Sequence, residues 1–176
     1  YKGWGGLKSV FAESKRGWNG QLYRLKNLLT NEELNSARAS IRNAHYTALE
    51  LIGTMYDGLS AMGFKGGKIL EPSMGTGNFF GMLPRNIAKK SQLYGVEIDS
   101  LTGRIAQKLY PQANIQIAGY QDVEFRDNFF DVVVGNVPFG EAVLKYKGRG
   151  YKIHDYFFVK SIDKLKEGGI LAFITS

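Results

Sequence analysis

The run from Asp131 to Gly140 reads D-V-V-V-G-N-V-P-F-G, an apolar strand followed by an asparagine, a proline and an aromatic ring. Such a set of side chains suits one chemical task, the activation of a planar amine. The exocyclic nitrogen of adenine is a weak nucleophile because its lone pair is delocalised into the ring. A carboxamide oxygen and an adjacent backbone carbonyl can accept both of its hydrogens, which moves the nitrogen toward sp³ and frees the pair to attack a sulfonium methyl group. Asn136 and the carbonyl of Val137 would be the two acceptors. Pro138 has no amide hydrogen and fixes its own φ, which stiffens the loop, while Phe139 offers a face on which a base can stack. No strong base is required, since the amine becomes acidic once alkylated.

A second group lies upstream. The segment E-P-S-M-G-T-G, residues 71 to 77, follows a short apolar run and precedes a helical stretch. Gly75 and Gly77 permit a tight turn and a close approach of ligand to backbone. Glu97 stands 20 residues after Gly77, the spacing at which a carboxylate reaches the ribose hydroxyls of a nucleoside. Phe80 occupies the place where the third glycine of a dinucleotide fingerprint would fall. Glu71 at the mouth of the loop would repel a pyrophosphate and attract a cation. A phosphate-free, positively charged nucleoside fits these residues, and S-adenosylmethionine is such a molecule. Ser73, inside the loop, is a further candidate contact.

These groups need a scaffold that brings separate loops together. From Lys68 onward, short apolar runs alternate with helical stretches: KILEP, Asn78 to about Lys89, LYGVEI, Leu101 to about Tyr110, NIQIA, DVVVG, Asp155 to Glu167, then ILAFIT. This alternation predicts an α/β fold with a mostly parallel sheet and helices on both faces. Val132, Val133 and Val134 are apolar without alternation, as a strand covered on both sides should be. Gly119 to Phe130 lacks a clear crossover helix, and the stretch between Phe139 and Asp155 reads as a loop. Upstream, residues 1 to 30 read as an extended lead-in whose Trp4 and Trp18 pack on the core. Thr30 with Glu33, and Thr47 with Glu50, have capping-box spacing and predict two helices, the first reaching about Asn43 and the second ending at Gly63, Gly66 and Gly67. Asp99 reads as a helix cap and Asp127 as a turn residue.

The 176 residues and 19.6 kDa fit one ordinary domain, with 44% apolar and 22% charged residues. The absence of cysteine excludes disulfides, thiolate nucleophiles and cysteine-zinc sites. His45 and His154 form no ligand cluster, so no metal site is expected and His154 reads as a loop or core residue. No apolar run approaches the roughly 18 residues of a membrane span, which predicts a soluble, cytoplasmic protein without a membrane partner. The net charge of +7 suits a phosphate-bearing partner, and Lys145, Lys147, Arg149 and Lys152 fall in one stretch free of acids. The first residue is tyrosine and the last residues form an abruptly ending strand, so the sheet is expected to be truncated at its carboxyl end within a longer parent chain.

Taken in order, these blocks resemble the gamma-type amino-methyltransferases that modify adenine in DNA. EPSMGTG is similar to that family's first motif, GVEID to its second, the QD at 121 and 122 to its third, NVPF to its fourth, and NAHYT at 43 to 47 to an upstream block. The resemblance spans about residues 43 to 176. YKGWGG and GNVPFG also resemble the methylase portion of large methylase-helicase proteins of phages and mobile elements, in a restriction-modification setting. The resemblance implies that Thr47 contacts the methionine end of the cofactor, Glu71 its amino group, Glu97 its ribose, Ile98 its adenine ring and Asp122 its adenine amine. It further implies that Asn136 and Val137 bind the target amine and Phe139 stacks on a base rotated out of the duplex. Val137 departs from the family's paired prolines, which predicts a looser loop.

The expected function is thus methyl transfer from S-adenosylmethionine to adenine in DNA, with a catalytic core at 46–176 and a lead-in at 1–45. DNA is the expected partner, with a helicase region on the same parent chain. Two other readings use the same residues. One is methyl transfer to a protein glutamine or an RNA base; the other is a non-catalytic cofactor- or DNA-binding module of a larger machine.

Overall fold

The computed structural model describes residues 9–11, 16–40 and 47–175. Trp4, His45 and most of NAHYT lie outside them. Five apolar runs form one sheet: β1 (Lys68–Glu71), β2 (Gln92–Glu97), β3 (Asn114–Ile117), β4 (Phe130–Asn136) and, last in the chain, β7 (Leu165–Ile174). Its order is β3-β2-β1-β4-β7 and every pairing is parallel. The order reverses at β1, so the loops after β1 and β4 diverge and leave a crevice at their carboxyl ends.

The three valines of β4 explain why helices cover both sides. Val132 and Val134 point into a cluster with Ile52, Tyr56 and Leu59 of α3 (Leu49–Ala61), Phe79 of α4 (Asn78–Met82) and Ile87 of α5 (Arg85–Ala88). Val133 points the other way, to Leu70, Tyr120, Val123 and the Tyr156 and Phe157 rings of α7 (Ile153–Lys164). Helix α6 (Ser100–Leu109) lies against β3 and β2 with Gly103 close to the Ile117 side chain. All three valines are fully buried, and removing each side chain from water contributes about 1.5–3 kcal/mol.

The interval from Gly119 to Phe130 has no crossover helix, as expected, and contains only a 3-10 turn at Tyr120–Asp122. Its carbonyls still need donors. The Lys160 ammonium, buried on α7, supplies two bonds, to Tyr120 O at 2.7 Å and Val123 O at 2.8 Å, and sits 4.8 Å from the Tyr120 ring centroid. Burial lowers its pKa from the ordinary lysine value.

Several expectations are corrected. The lead-in contains a helix, α1 (Asn19–Leu28), and Trp18 at its start is 40% exposed rather than packed. Pro84 divides the stretch after the glycine loop into α4 and α5, because proline cannot supply the amide that continues a helix. The basic stretch is a hairpin of β5 (Val143–Tyr146) and β6 (Arg149–Lys152), turned by Lys147 and Gly148, both with positive φ. Helix α7 starts at Ile153 and ends at Lys164, and β7 begins at Leu165.

The first capping box forms: Thr30 N–H donates to Glu33 Oε2 at 2.9 Å and Glu33 N–H to Thr30 Oγ1 at 3.2 Å, at the start of α2 (Asn31–Ser40). The second does not. Ala48 takes the N-cap position without a side-chain bond, so Glu50 is only the second helical residue and cannot reach back. Asp99 caps α6 by accepting from Leu101 N–H at 3.1 Å and Thr102 Oγ1 at 2.6 Å. Among the described residues no helix is long and apolar enough to cross a membrane, and no group of metal-ligating side chains occurs.

Candidate cofactor and methyl-transfer site

The crevice at the switch point is lined by Thr47, Glu71, Ser73, Gly75, Glu97, Ile98, Asn136 and Pro138, residues drawn from four separate segments of the chain. Gly77, Asp122, Val137, Phe139 and the hairpin cations lie outside its lining. Sequence reasoning missed Ser36, Asp99, Thr102, Tyr120, Gln121, Leu144, Ile153 and Phe157, which also line it. Ser36, Leu144 and Phe157 carry no local signal, because their place in the wall is set by tertiary packing alone.

Glu97 ties two loops together. Its Oε2 accepts from Gly75 N–H at 2.8 Å and its Oε1 from Asp99 N–H at 2.7 Å. Burial raises its pKa, and these two backbone bonds oppose the shift. The two glycines have different tasks. Gly75, at φ +55, would point a Cβ into open space, consistent with a loop that leaves room for a ligand. At Gly77, φ is +83 and a Cβ would strike the Tyr110 ring, whose hydroxyl donates to Gly77 O at 2.8 Å. The second glycine thus serves packing. Gly77→Ala is expected to lose about 1–2 kcal/mol from the left-handed backbone alone, plus the cost of moving Tyr110, measured as a lowered thermal midpoint.

Glu71 is 2% exposed, and its Oε2 has no hydrogen-bond partner among the described residues. Burial, reinforced by the Glu97 charge, raises its pKa well above the ordinary glutamate range. Tyr56 behind it, donating to Phe79 O at 2.9 Å, also has a raised pKa, chiefly from burial. An orphaned carboxyl oxygen in a ligand-sized crevice fits a cationic amino group that brings its own donors.

Ser73 joins this half of the crevice to the other, its Oγ donating to the Asn136 carbonyl at 2.9 Å. The Asn136 carboxamide has no hydrogen bond to any described residue and lines the open crevice. Val137 corrects the expectation of a loosened loop. Its side chain is 1% exposed in the α7-side core, and its N–H donates to Ile174 O at 3.2 Å, adding one bond beyond the β4–β7 ladder. Val137→Pro is expected to cost about 1 kcal/mol through the lost bond, with no gain in any methyl-transfer rate; thermal denaturation and initial rates test it.

The hairpin cations divide into two kinds. Lys147 Nζ pairs with Asp163 at 2.7 Å, and Lys152 with Glu141 at 3.2 Å. Lys145 and Arg149 have no ion pair among the described residues. Leu144, Tyr146 and Tyr151 face inward against the core, which leaves Val143, Lys145 and Lys152 on the opposite face of the ladder. His154 Nε2 lies 3.3 Å from Asp155 Oδ1 and is not part of the crevice lining.

Residues 70–144 match the family model of the methyltransferase domain. The fold is the Rossmann-like fold seen in solved S-adenosylmethionine-dependent methyltransferases. Two curated proteins are similar. Defense against restriction protein B of Escherichia phage P1 is 32% identical over 137 residues, 74% of this chain and 6% of that protein. Modification methylase CviBIII of Paramecium bursaria Chlorella virus NC1A is 33% identical over 116 residues, 62% of this chain and 30% of that protein. The chain thus spans a small part of each. A structure from Listeria monocytogenes, assigned to the class I S-adenosylmethionine-dependent methyltransferases, superposes with a TM-score of 0.56. It is 18% identical and matches 87% of this chain and 50% of that one, a likeness of fold.

Proposed function

We propose that this domain transfers the methyl group of S-adenosylmethionine to the exocyclic amine of adenine in DNA. The observation that carries the reading is the Asn136 carboxamide, free of partners among the described residues, in the same crevice as the orphaned Glu71 carboxyl. The similarity to a modification methylase supports the choice of DNA.

The cofactor supplies a sulfonium-activated methyl group. Glu71 would hold its amino group, with Thr47 at the methionine end. Glu97 would accept from the ribose hydroxyls, since each carboxylate oxygen has a second lone pair beyond its backbone bond. Ile98, 67% exposed beside it, would pack on the adenine ring. Asp122 is exposed and bonded to the Gln121 side chain at 2.8 Å, so its proposed contact with the cofactor's adenine amine requires that bond to be exchanged.

On the target side, Asn136 Oδ1 and the Val137 carbonyl would accept the two amine hydrogens, drawing the lone pair out of the ring. Pro138 would keep that acceptor pair rigid, and Phe139, 40% exposed, would stack on an extruded base. Lys145 and Arg149 are the cations available to phosphate; Lys147 and Lys152 would first have to leave their acidic partners. A helicase region on the same parent chain is part of the proposal, its role being to present the duplex. The hairpin's charge favours nucleic acid over a protein glutamine, though the same carboxamide would serve either amine.

The test is methyl transfer from labelled cofactor into duplex DNA, followed by nucleoside analysis. N6-methyladenine is the expected product. Label confined to cytosine or to protein, with none in adenine, would overturn the reading.

A further inference from the structure

The two N-terminal helices have an interior of their own. Leu22, Leu25 and Leu29 meet Leu34 and Ala37 of α2, together with Val10 and Phe11, in a cluster separate from those of the sheet among the described residues. The described links from α2 to α6 are polar instead. Ser36 Oγ donates to Asp99 Oδ1 at 2.9 Å and accepts from Ser100 N–H at 3.2 Å. Glu33 forms an ion pair with Arg104 on α6, and its pKa is lowered by the capping bond from Thr30 N–H first and by Arg104 second. Ser36 also lines the cofactor crevice, beside Ile98, Asp99 and Thr102.

We propose that helix α2 is a docked cover forming one wall of the cofactor site, with Ser36 as a positioning residue, so that cofactor binding and the docking of α2 are coupled. The inference rests on the assignment of the crevice to S-adenosylmethionine. Two observations point the same way. Surface ion pairs and single hydroxyl bonds are individually weak, so docking by such contacts is reversible and sensitive to a ligand that fills the space beneath. Ser36 holds Asp99, and Asp99 in turn shares a backbone bond with Glu97, the residue placed at the ribose. By reciprocity, whatever loosens α2 must weaken the cofactor, and the cofactor must hold α2 down.

Arg104 is the handle, since it lies outside the crevice lining and its side chain is 54% exposed. S-adenosylhomocysteine is titrated calorimetrically into wild type, Arg104→Glu, Arg104→Lys and Ser36→Ala, with hydrogen exchange followed across 31–40. Arg104→Glu and Ser36→Ala are expected to weaken binding about 2–5-fold, the scale of a single surface interaction. Arg104→Lys is expected to bind within twofold of wild type. The ligand is expected to slow exchange across α2 in wild type and less so in Arg104→Glu. Equal binding by all four proteins, or exchange in α2 that ignores the ligand, would overturn the coupling alone. Wild type that binds no S-adenosylhomocysteine would overturn both the coupling and the cofactor assignment beneath it.

Discussion

Asn136→Ala is expected to reduce methyl transfer to adenine by about 10²–10³-fold or more while leaving S-adenosylhomocysteine affinity within about twofold of wild type. The separation follows from geometry. The Asn136 side chain has no partner among the described residues to lose, whereas its backbone carbonyl, held by Ser73, is unchanged by the substitution. The fold and cofactor loop should therefore persist. What disappears is an acceptor whose interaction strengthens as the amine nitrogen becomes tetrahedral, and a preorganised partner of that kind typically contributes this much to a rate. Single-turnover rates at saturating cofactor, beside calorimetric binding, measure the two quantities. A variant that loses cofactor binding as well, or keeps its rate, would contradict the role given to Asn136.

The second large effect concerns Glu71, where function and stability should part. Glu71→Gln is expected to weaken S-adenosylmethionine binding by about 10–100-fold, the scale of a hydrogen bond to a charged group, while raising the stability of the ligand-free protein at neutral and alkaline pH. Burial holds the folded-state pKa of Glu71 well above its unfolded value. The folded protein then binds more protons than the unfolded chain between those two values. Its stability is fullest below the ordinary glutamate range and is lost as pH rises through the raised folded value. Glutamine cannot ionise, so the gap in thermal midpoint between variant and wild type should be small near pH 4 and grow with pH.

Cofactor binding runs in the opposite direction. The ammonium of the ligand favours ionised Glu71, so wild-type affinity should rise with pH across the same window, with a proton released on binding. Titration in buffers of different ionisation enthalpy detects that proton, and the glutamine variant should release none from this position.

The core of this reading was visible in the residues because local pattern and tertiary role coincide there. The three valines of β4 are apolar on both faces because the sheet is covered on both, and the spacing from Gly77 to Glu97 reflects one α/β crossover. The Asp99 cap and the Thr30–Glu33 box are likewise local interactions complete within a few residues. What escaped was set at a distance. Thr47 and Glu50 have capping spacing, but the helix starts one residue later. The β5–β6 hairpin turns through Lys147 and Gly148, without the asparagine–glycine signature that would announce it. Val137 looked like a weakened proline position until its N–H was found on Ile174. Ser36 joins the crevice wall through a partner 63 residues away, which no window of sequence can reveal.

The single nitrogen of Lys160 also sets a rule for how this chain can vary in length. Two carbonyls three residues apart converge on it, so the segment from Tyr120 to Val123 is measured by one ammonium. A residue inserted there would separate the two acceptors and displace Gln121 from the crevice wall, whereas Glu124 to Asn128 is free of that constraint. Length changes in relatives of this domain should accordingly gather after Val123, leaving the stretch that faces the cofactor fixed in count.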